Sequence, residues 1–279
     1  MSHIHWYPGH IAKAQKALKE KLKLVDVILE VLDARIPISS SYGDTKALLG
    51  DKPRIILLNK SDLSDTYENQ RWKKLTEEKT GCPCLLTTNQ SQKDIKIIID
   101  KILEISKPIT DKMTAKGLLP RAIRVMVVGM PNVGKSSTIN KLIKKSKTKT
   151  GAKAGVTRQQ QWVRVHDKVE LLDTPGIIPM AQPNQEAAIK LACVNSIGEN
   201  AYDNEFVAAE LLKILDKKYK KIVRQYYNLE DEDATIENIA LKRNWLIKDG
   251  KPDVVRCAQF ILLNFRDGKI GKITLDEIL

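Results

Sequence analysis

Cysteine is scarce in this chain, long apolar runs are missing, and acidic residues are thin in its first two-thirds. The four cysteines, Cys82, Cys84, Cys193 and Cys257, are scattered over 279 residues. They match no zinc-ligand spacing, and a disulfide framework belongs to shorter secreted chains. Only Cys82-Pro83-Cys84 brings two thiols close, as C-x-C. No apolar run approaches the ~20 residues that cross a bilayer as a helix, so no membrane partner is expected. Against 34 acidic side chains stand 47 Lys and Arg, a net charge of +13. The shortage is uneven. Residues 179–279 hold 15 basic and 16 acidic groups, net −1, which leaves 32 against 18, net +14, in residues 1–178. An excess on that scale suits a polyanionic partner, although a Lys-rich solubilising surface has the same composition. Acid is nearly missing from residues 1–23, as in transit peptides. There, however, Trp6-Tyr7-Pro8-Gly9-His10 places two aromatics and a turn signal, which mark the stretch as part of the mature fold.

What is present reads as a globular protein: 42% hydrophobic and 29% charged residues, enough for one α/β domain and a smaller second unit. Apolar periodicity predicts a helix over residues 11–24, with Leu18 and Leu22 on one face, and a strand over 25–32. A short helix at 44–49, a strand at 54–58, a helix at 67–80, a strand at 84–87 and a helix at 92–105 follow. Residues 106–120, with Pro108, Gly117 and Pro120, read as a linker. Beyond it come a strand at 123–128, a helix at 136–143 and a hairpin of strands at 162–166 and 169–172. After Pro183 the pattern turns helical, at 186–194, 205–227, 235–242 and 253–265. The expected fold is α/β, a doubly wound and mostly parallel sheet over residues 1–178, with an all-α unit over 179–279.

Residues 129–136 spell G-M-P-N-V-G-K-S, a phosphate-cradling loop between a strand and a helix. Pro131, Asn132, Val133, Gly134, Lys135, Ser136 and Ser137 would line the phosphates. Lys135 would reach the β- and γ-oxygens and Ser136 would ligate Mg²⁺. Asn59-Lys60-Ser61-Asp62 at a strand end narrows the base to guanine. The Asp62 carboxylate can accept from N1–H and the 2-amino group, Asn59 can bond the base and neighbouring loops, and the Lys60 stem can lie along the ring. Thr87, Thr88 and Asn89, after the next strand, make a looser third base contact. Asp173-Thr174-Pro175-Gly176 offers a carboxylate to the metal, through water, and a Gly176 N–H to the γ-phosphate. Thr157, in Gly155-Val156-Thr157, would complete the Mg²⁺ shell, with Thr150 as a competitor.

Together these motifs imply hydrolysis of GTP to GDP, but they come in an unusual order. The base-reading pair precedes the phosphate-side set, as in a circular permutation with residues 106–120 as the seam. Permutation costs little where parent termini lie together at the surface. The permuted order, Trp6-Tyr7-Pro8-Gly9-His10, Asp33-Ala34-Arg35, the phosphate loop and the Asp173 box resemble the RbgA/YlqF family of ribosome-assembly GTPases. The likeness is strong over residues 4–178 and looser beyond, although the stretch 267–273 resembles the family's C-terminal end. Permuted relatives with an N-terminal OB barrel and zinc cluster, or an N-terminal zinc module, are disfavoured: the cysteines do not fit, and few residues precede the nucleotide motifs. The resemblance implies a cytoplasmic, monomeric factor that binds the large ribosomal subunit, its rRNA and proteins, late in assembly. A nucleotide-gated RNA scaffold, or a GTPase acting on another RNA such as tRNA, are the rival readings. Ala154 stands where the family more often has Pro.

Where many GTPases place a water-orienting Gln, this chain has Ile177. His10 is the candidate to orient water instead; a histidine that only fixes the N-terminal segment is the alternative. Asn132 resembles the loop Asn of potassium-stimulated GTPases and would hold K⁺. Lys213, Lys217, Lys220 and Arg224 form a basic stripe at helical spacing, with Tyr219, Tyr226 and Tyr227 nearby, for RNA or as a solvated face. Lys141, Lys144, Lys145, Lys147, Lys149 and Lys153 are a second candidate patch.

Overall fold

The computed structural model describes residues 8–43, 45–88, 91, 93–147, 162–173, 176–177, 184–230 and 232–278, without the side chains of residues 8–14, 145–147 and 177. Its helices are α1 Pro8–Leu22, α2 Thr45–Leu49, α3 Thr66–Thr80, α4 Lys93–Ala115, α5 Lys135–Lys147, α6 Gln185–Cys193, α7 Asn204–Tyr227, α8 Ile236–Lys242 and α9 Val254–Arg266. Its strands are β1 Val27–Asp33, β2 Arg54–Asn59, β3 Cys84–Leu86, β4 Ile123–Gly129, β5 Trp162–His166, β6 Val169–Leu172 and β7 Gly176–Ile177. In the sheet they run β3-β2-β1-β4-β6-β5, with β7 on the far end of β4. All pairings are parallel except the β5–β6 hairpin. The phosphate-loop strand β4 is therefore central, flanked by β1 from the first part of the chain and β6 from the second. That is the permutation in three dimensions.

Alternation along the strands sorts the two faces. Val27, Leu29 and Val31 of β1, Ile55 and Leu57 of β2, and Ile123, Val125 and Val127 of β4 face one cluster, with Ile95, Ile98 and Ile102 of α4 and Ile139 and Leu142 of α5. Their neighbours Ile28, Met126 and Val128 face Leu18 and Leu22 of α1 and Leu48 and Leu49 of α2. Leu32, Ile56 and Leu58 pack with Trp72 of α3. The first cluster continues without a break into the C-terminal helices, through residues such as Leu191, Leu211 and Ile261.

Two local expectations fail. Pro8-Gly9-His10 is the first turn of α1 rather than a free turn; proline suits that position because its missing N–H has no helical partner there. The linker expected over residues 106–120 is helical as far as Ala115, with Pro108 inside the helix. Ser106 is buried and Ile105 and Ile109 pack on the core, so tertiary burial offsets the lost hydrogen bond. The connection between the two motif sets is thus residues 116–122.

After α9 the chain returns to the sheet. Gly268, with φ of 72°, lies against Leu63, and the Ile273 N–H donates to the Leu63 carbonyl at 3.1 Å. Leu275 N–H donates to Arg35 O at 2.7 Å, and Asp276 accepts from the Ile38 and Ser39 N–H groups and the Ser39 hydroxyl. Asp276 also pairs with Lys190 of α6 at 3.2 Å. This tail straps the helices to the back of the loops that carry the base-reading residues.

Candidate functional site: a cleft at the strand ends

Parallel pairing puts the C-terminal ends of β1, β2, β3, β4 and β6 on one edge, where open α/β sheets bind ligands. Asp33 ends β1 level with Asn59 ending β2, and Gly129 ends β4 level with Ile177 of β7. From this edge the phosphate loop turns into α5. Gly129, at φ of 153°, has no room for a side chain: a Cβ there would strike the Val31 carbonyl. Asn132 and Gly134 also take positive φ, 57° and 105°. The loop ends at Lys135, the first residue of α5, so the opening N–H groups of that helix have no helical partners and suit an anion. Ser136 and Ser137 are exposed on the first turn, while Val133 is buried beneath.

Lys135 is itself buried, and its Nζ folds back onto the Met130 carbonyl. Burial lowers its ammonium pKa to about 8. Phosphates beside it would restore the charge and raise that pKa, so binding takes up a proton only above pH 8. Nucleotide affinity is therefore expected to be flat below about pH 8 and to fall by up to about tenfold per unit above it. Titration with a fluorescent GDP at pH 7, 8 and 9 checks this; a flat profile to pH 9 would contradict it.

Asn59, Ser61 and Thr87 are bonded together at this edge. Asn59 Nδ2 donates to the Val133 carbonyl at 2.8 Å, tying this motif to the phosphate loop 74 residues away, and Asn59 Oδ1 accepts from the Thr87 hydroxyl. Thr87 O accepts from the N–H and hydroxyl of Ser61. Asp62 carries a buried Oδ1 with no hydrogen-bond partner. An orphaned acceptor at this place fits the donor edge of guanine.

Asp33-Ala34-Arg35 proves to be the centre of this edge. The fully buried Asp33 carboxylate accepts from Arg35 Nε at 3.0 Å and Nη2 at 2.9 Å, and from Lys60 Nζ at 2.8 Å. Burial alone would raise the Asp33 pKa; the Arg35 guanidinium and Lys60 ammonium instead hold it well below the usual carboxylate range. Lys60, with φ of 60°, also donates to the Asn132 carbonyl at 2.7 Å, so its ammonium bridges the β1 end and the phosphate loop. Arg35 Nη1 continues outward to the carbonyls of Phe265 and Arg266 at the C-terminus of α9, where the helix dipole favours a cation.

A second contact was invisible in the sequence. Asn132 Nδ2 donates to the Asn195 carbonyl at 2.6 Å, and the buried Ser196 hydroxyl donates to the Pro131 carbonyl at 2.9 Å. The loop after α6 thus grips the phosphate loop directly.

On the γ-phosphate side, Gly176 pairs with Val128 and is buried beneath Leu18 of α1 and Met126. Asp173 is exposed just past β6. Ser136 and Asp173 are hard oxygen donors of the kind Mg²⁺ takes. His10 lies on α1 about 12 Å along the axis from Leu18, given the rise of a helix; its side chain is outside the described residues. So are Asn89, Thr150, Thr157, Thr174 and Pro175, while Ile177 is described only as backbone.

The basic stripe on α7 is less free than its spacing suggests. Lys213 pairs with Glu210 at 2.7 Å, Lys217 with Glu277 at 3.0 Å and Lys220 with Asp216 at 3.7 Å. Arg224 donates to Glu230 O, and a kink at Tyr219 breaks the helical spacing. Tyr219 and Tyr227 are buried, the former bonded to Thr274 and Asp65, and so cannot stack on bases. In the second basic patch Lys144 is exposed, but Lys141 turns inward. Among the described residues no group of three His, Cys, Asp or Glu side chains could hold a metal, so the C-x-C pair forms no such cluster.

A phosphate loop, an orphaned Asp62 carboxylate and a buried Gly176, gathered at one sheet edge in permuted order, define a circularly permuted GTPase. The profile of the family described as 50S ribosome-binding GTPase matches residues 124–246. Ribosome biogenesis GTPase A of Bacillus cereus is 39% identical over 277 residues, covering 98% of this chain and 93% of that protein. The mouse mitochondrial ribosome-associated GTPase 1 is 34% identical over 295 residues, covering 98% and 90%. A GDP-bound YlqF structure superposes with a TM-score of 0.67 at 28% identity, covering 94% of this chain and 98% of that one. The GNP-bound YlqF of Thermotoga maritima gives the same TM-score over 95% and 98%. The chain belongs to the ribosome biogenesis GTPase A family, and it is a GTPase.

Proposed function

We propose that this GTPase binds the large ribosomal subunit during its assembly and uses GTP hydrolysis to time its release. The observation that carries the reading is the direct bonding of the phosphate loop to the loop after α6, through Asn132–Asn195 and Ser196–Pro131. Loss of a phosphate from the cleft would be felt at once by the helices beyond residue 179, which we take as the subunit-facing unit beside a G domain of residues 1–178. The chain also leaves β7 toward those helices, a second route for the same signal. The names of the relatives support a ribosomal target, and the +14 excess of residues 1–178 supports an RNA-rich one. The setting is the cytoplasm and the working form a monomer.

In this reading Asn59, Asp62 and the residues 87–89 hold the base, and the loop from Pro131 to Ser137 with Lys135 holds the phosphates. Ser136 and Thr157, with Asp173 through water, would hold Mg²⁺, which supplies charge stabilisation at the transferring phosphoryl group. Gly176 N–H meets the γ-phosphate, and His10 orients the attacking water. A K⁺ ion at Asn132 would be held by Oδ1, the amide's only acceptor, while Nδ2 donates to Asn195 O. Among RNA contacts on α7, Lys213, Lys217, Lys220 and Arg224 would first have to leave their present partners.

Co-sedimentation tests the proposal. The chain is expected to pellet with 50S particles at about 150 mM salt, where nonspecific charge pairing is screened, in a non-hydrolysable GTP analogue and not in GDP. Equal pelleting in both nucleotides, or preference for free tRNA, would overturn it.

A further inference from the structure

We infer that Lys141 determines base specificity: it anchors the loop after β3 to α5 and places positive charge behind the 6-position of the purine. The inference rests on the reading that Asp62 meets the base. In the sequence Lys141 opens a basic run that looks solvated. In the structure its Nζ turns inward and donates to the Thr88 carbonyl at 2.8 Å. The Thr88 N–H, in turn, donates to Asp94 of α4 at 2.8 Å. Both backbone groups of one residue are thus held by charged side chains from two different helices, and charge-assisted bonds are the stronger kind. These groups, with Asn59, Thr87 and Thr138, line one small cleft beside the phosphate-loop helix. The Asp94 and Asp62 carboxylates both lie near enough to act on the Lys141 ammonium.

The chemistry of the two purines gives this arrangement a consequence. Guanine presents an acceptor at position 6 beside two donors, N1–H and the 2-amino group. Adenine presents a donor at position 6 beside an acceptor. Asp62 answers the guanine donors. A bare Thr88 carbonyl near position 6 would favour the adenine amino group. Lys141 occupies that carbonyl and points an N–H donor and a cation at it, which leaves it a poorer acceptor for an amino hydrogen. Discrimination of this sort needs an element acting against the wrong ligand as well as one for the right ligand.

The test is competition by GDP, IDP and ADP against a fluorescent GDP in the full chain, with K141M, K141R and D62A. IDP keeps the 6-oxygen and lacks the 2-amino group. K141M is expected to weaken GDP and IDP by about tenfold each and ADP by less than about twofold, shrinking the GDP-to-ADP preference accordingly. K141R is expected to restore most of the preference. Equal weakening of GDP and ADP would reduce Lys141 to a structural role, and unchanged GDP affinity would remove it altogether; either overturns the inference. D62A keeps the two readings apart. If it abolishes the preference for GDP over IDP, the base assignment stands whatever K141M does; if that preference survives, the assignment itself fails.

Discussion

Replacing Asp33 by Asn should lower the thermal midpoint by on the order of 10 °C and weaken nucleotide binding in the same variant. The shape of the side chain is kept, so the loss is electrostatic. The wild-type carboxylate is fully buried and faces Arg35 and Lys60, whose own side chains are nearly as buried. Removing one partner of a buried ion pair costs about 3–5 kcal/mol, because the remaining charges stay desolvated and unpaired. At a few degrees per kcal/mol for a chain of this size, a shift of that order follows. Binding suffers because Lys60 loses the carboxylate that steadies its bond to Asn132 O. The pH sign is fixed by the depressed Asp33 pKa. Its stabilising share is complete above the unfolded value, near 4, and is lost as the pH falls below it. Differential scanning calorimetry at neutral pH decides the matter; a shift under about 2 °C would show that the Arg35–Asp33–Lys60 cluster contributes little.

Gly129→Ala should abolish measurable GDP binding, a loss of at least about a hundredfold. The added methyl meets a backbone carbonyl, Val31 O, rather than a flexible side chain, and Val133 Cγ2 lies 3.1 Å from it as well. Neither the β1 strand nor the loop can yield without moving the other. At φ of 153° the residue is also in a region that only glycine occupies at little cost. Gly176→Ala, by contrast, meets side-chain methyls of Leu18, Met126 and Val128, which can shift, so its binding defect should be the smaller of the two. Isothermal titration of both variants with GDP checks the ranking, and a Gly129→Ala protein that binds within tenfold of wild type would refute it.

The nucleotide motifs were legible because their chemistry is local. Residues 129–136 and 59–62 carry their spacing in the chain, whereas the two faces of β1, apolar on both, are told apart only by what packs on them. What could not be read depends on partners far away in sequence. Asp33-Ala34-Arg35 stood out only by resemblance; its role needs Lys60 just past β2 and the carbonyls of Phe265 and Arg266, some 230 residues on. Asn132 gave no sign that Asn195 would take its amide. Lys141 sits in a run of lysines, and only the fold shows that it alone of the described ones reaches Thr88. Pro108 misled for the opposite reason: a strong local signal for a break was overruled by Ser106, Ile105 and Ile109 packing on the core. The α7 stripe was spaced correctly for one face until the kink at Tyr219, and its acidic partners at Glu210, Asp216 and Glu277 dilute it.

We propose that the cleft binds GTP readily and cleaves it slowly until a ribosomal particle completes the site, since Ile177 cannot orient a water. Phosphate release at saturating GTP, measured with and without purified 50S particles, tests it most directly. Turnover should rise by at least about tenfold with the particles. Equal rates in their presence and absence would contradict the claim.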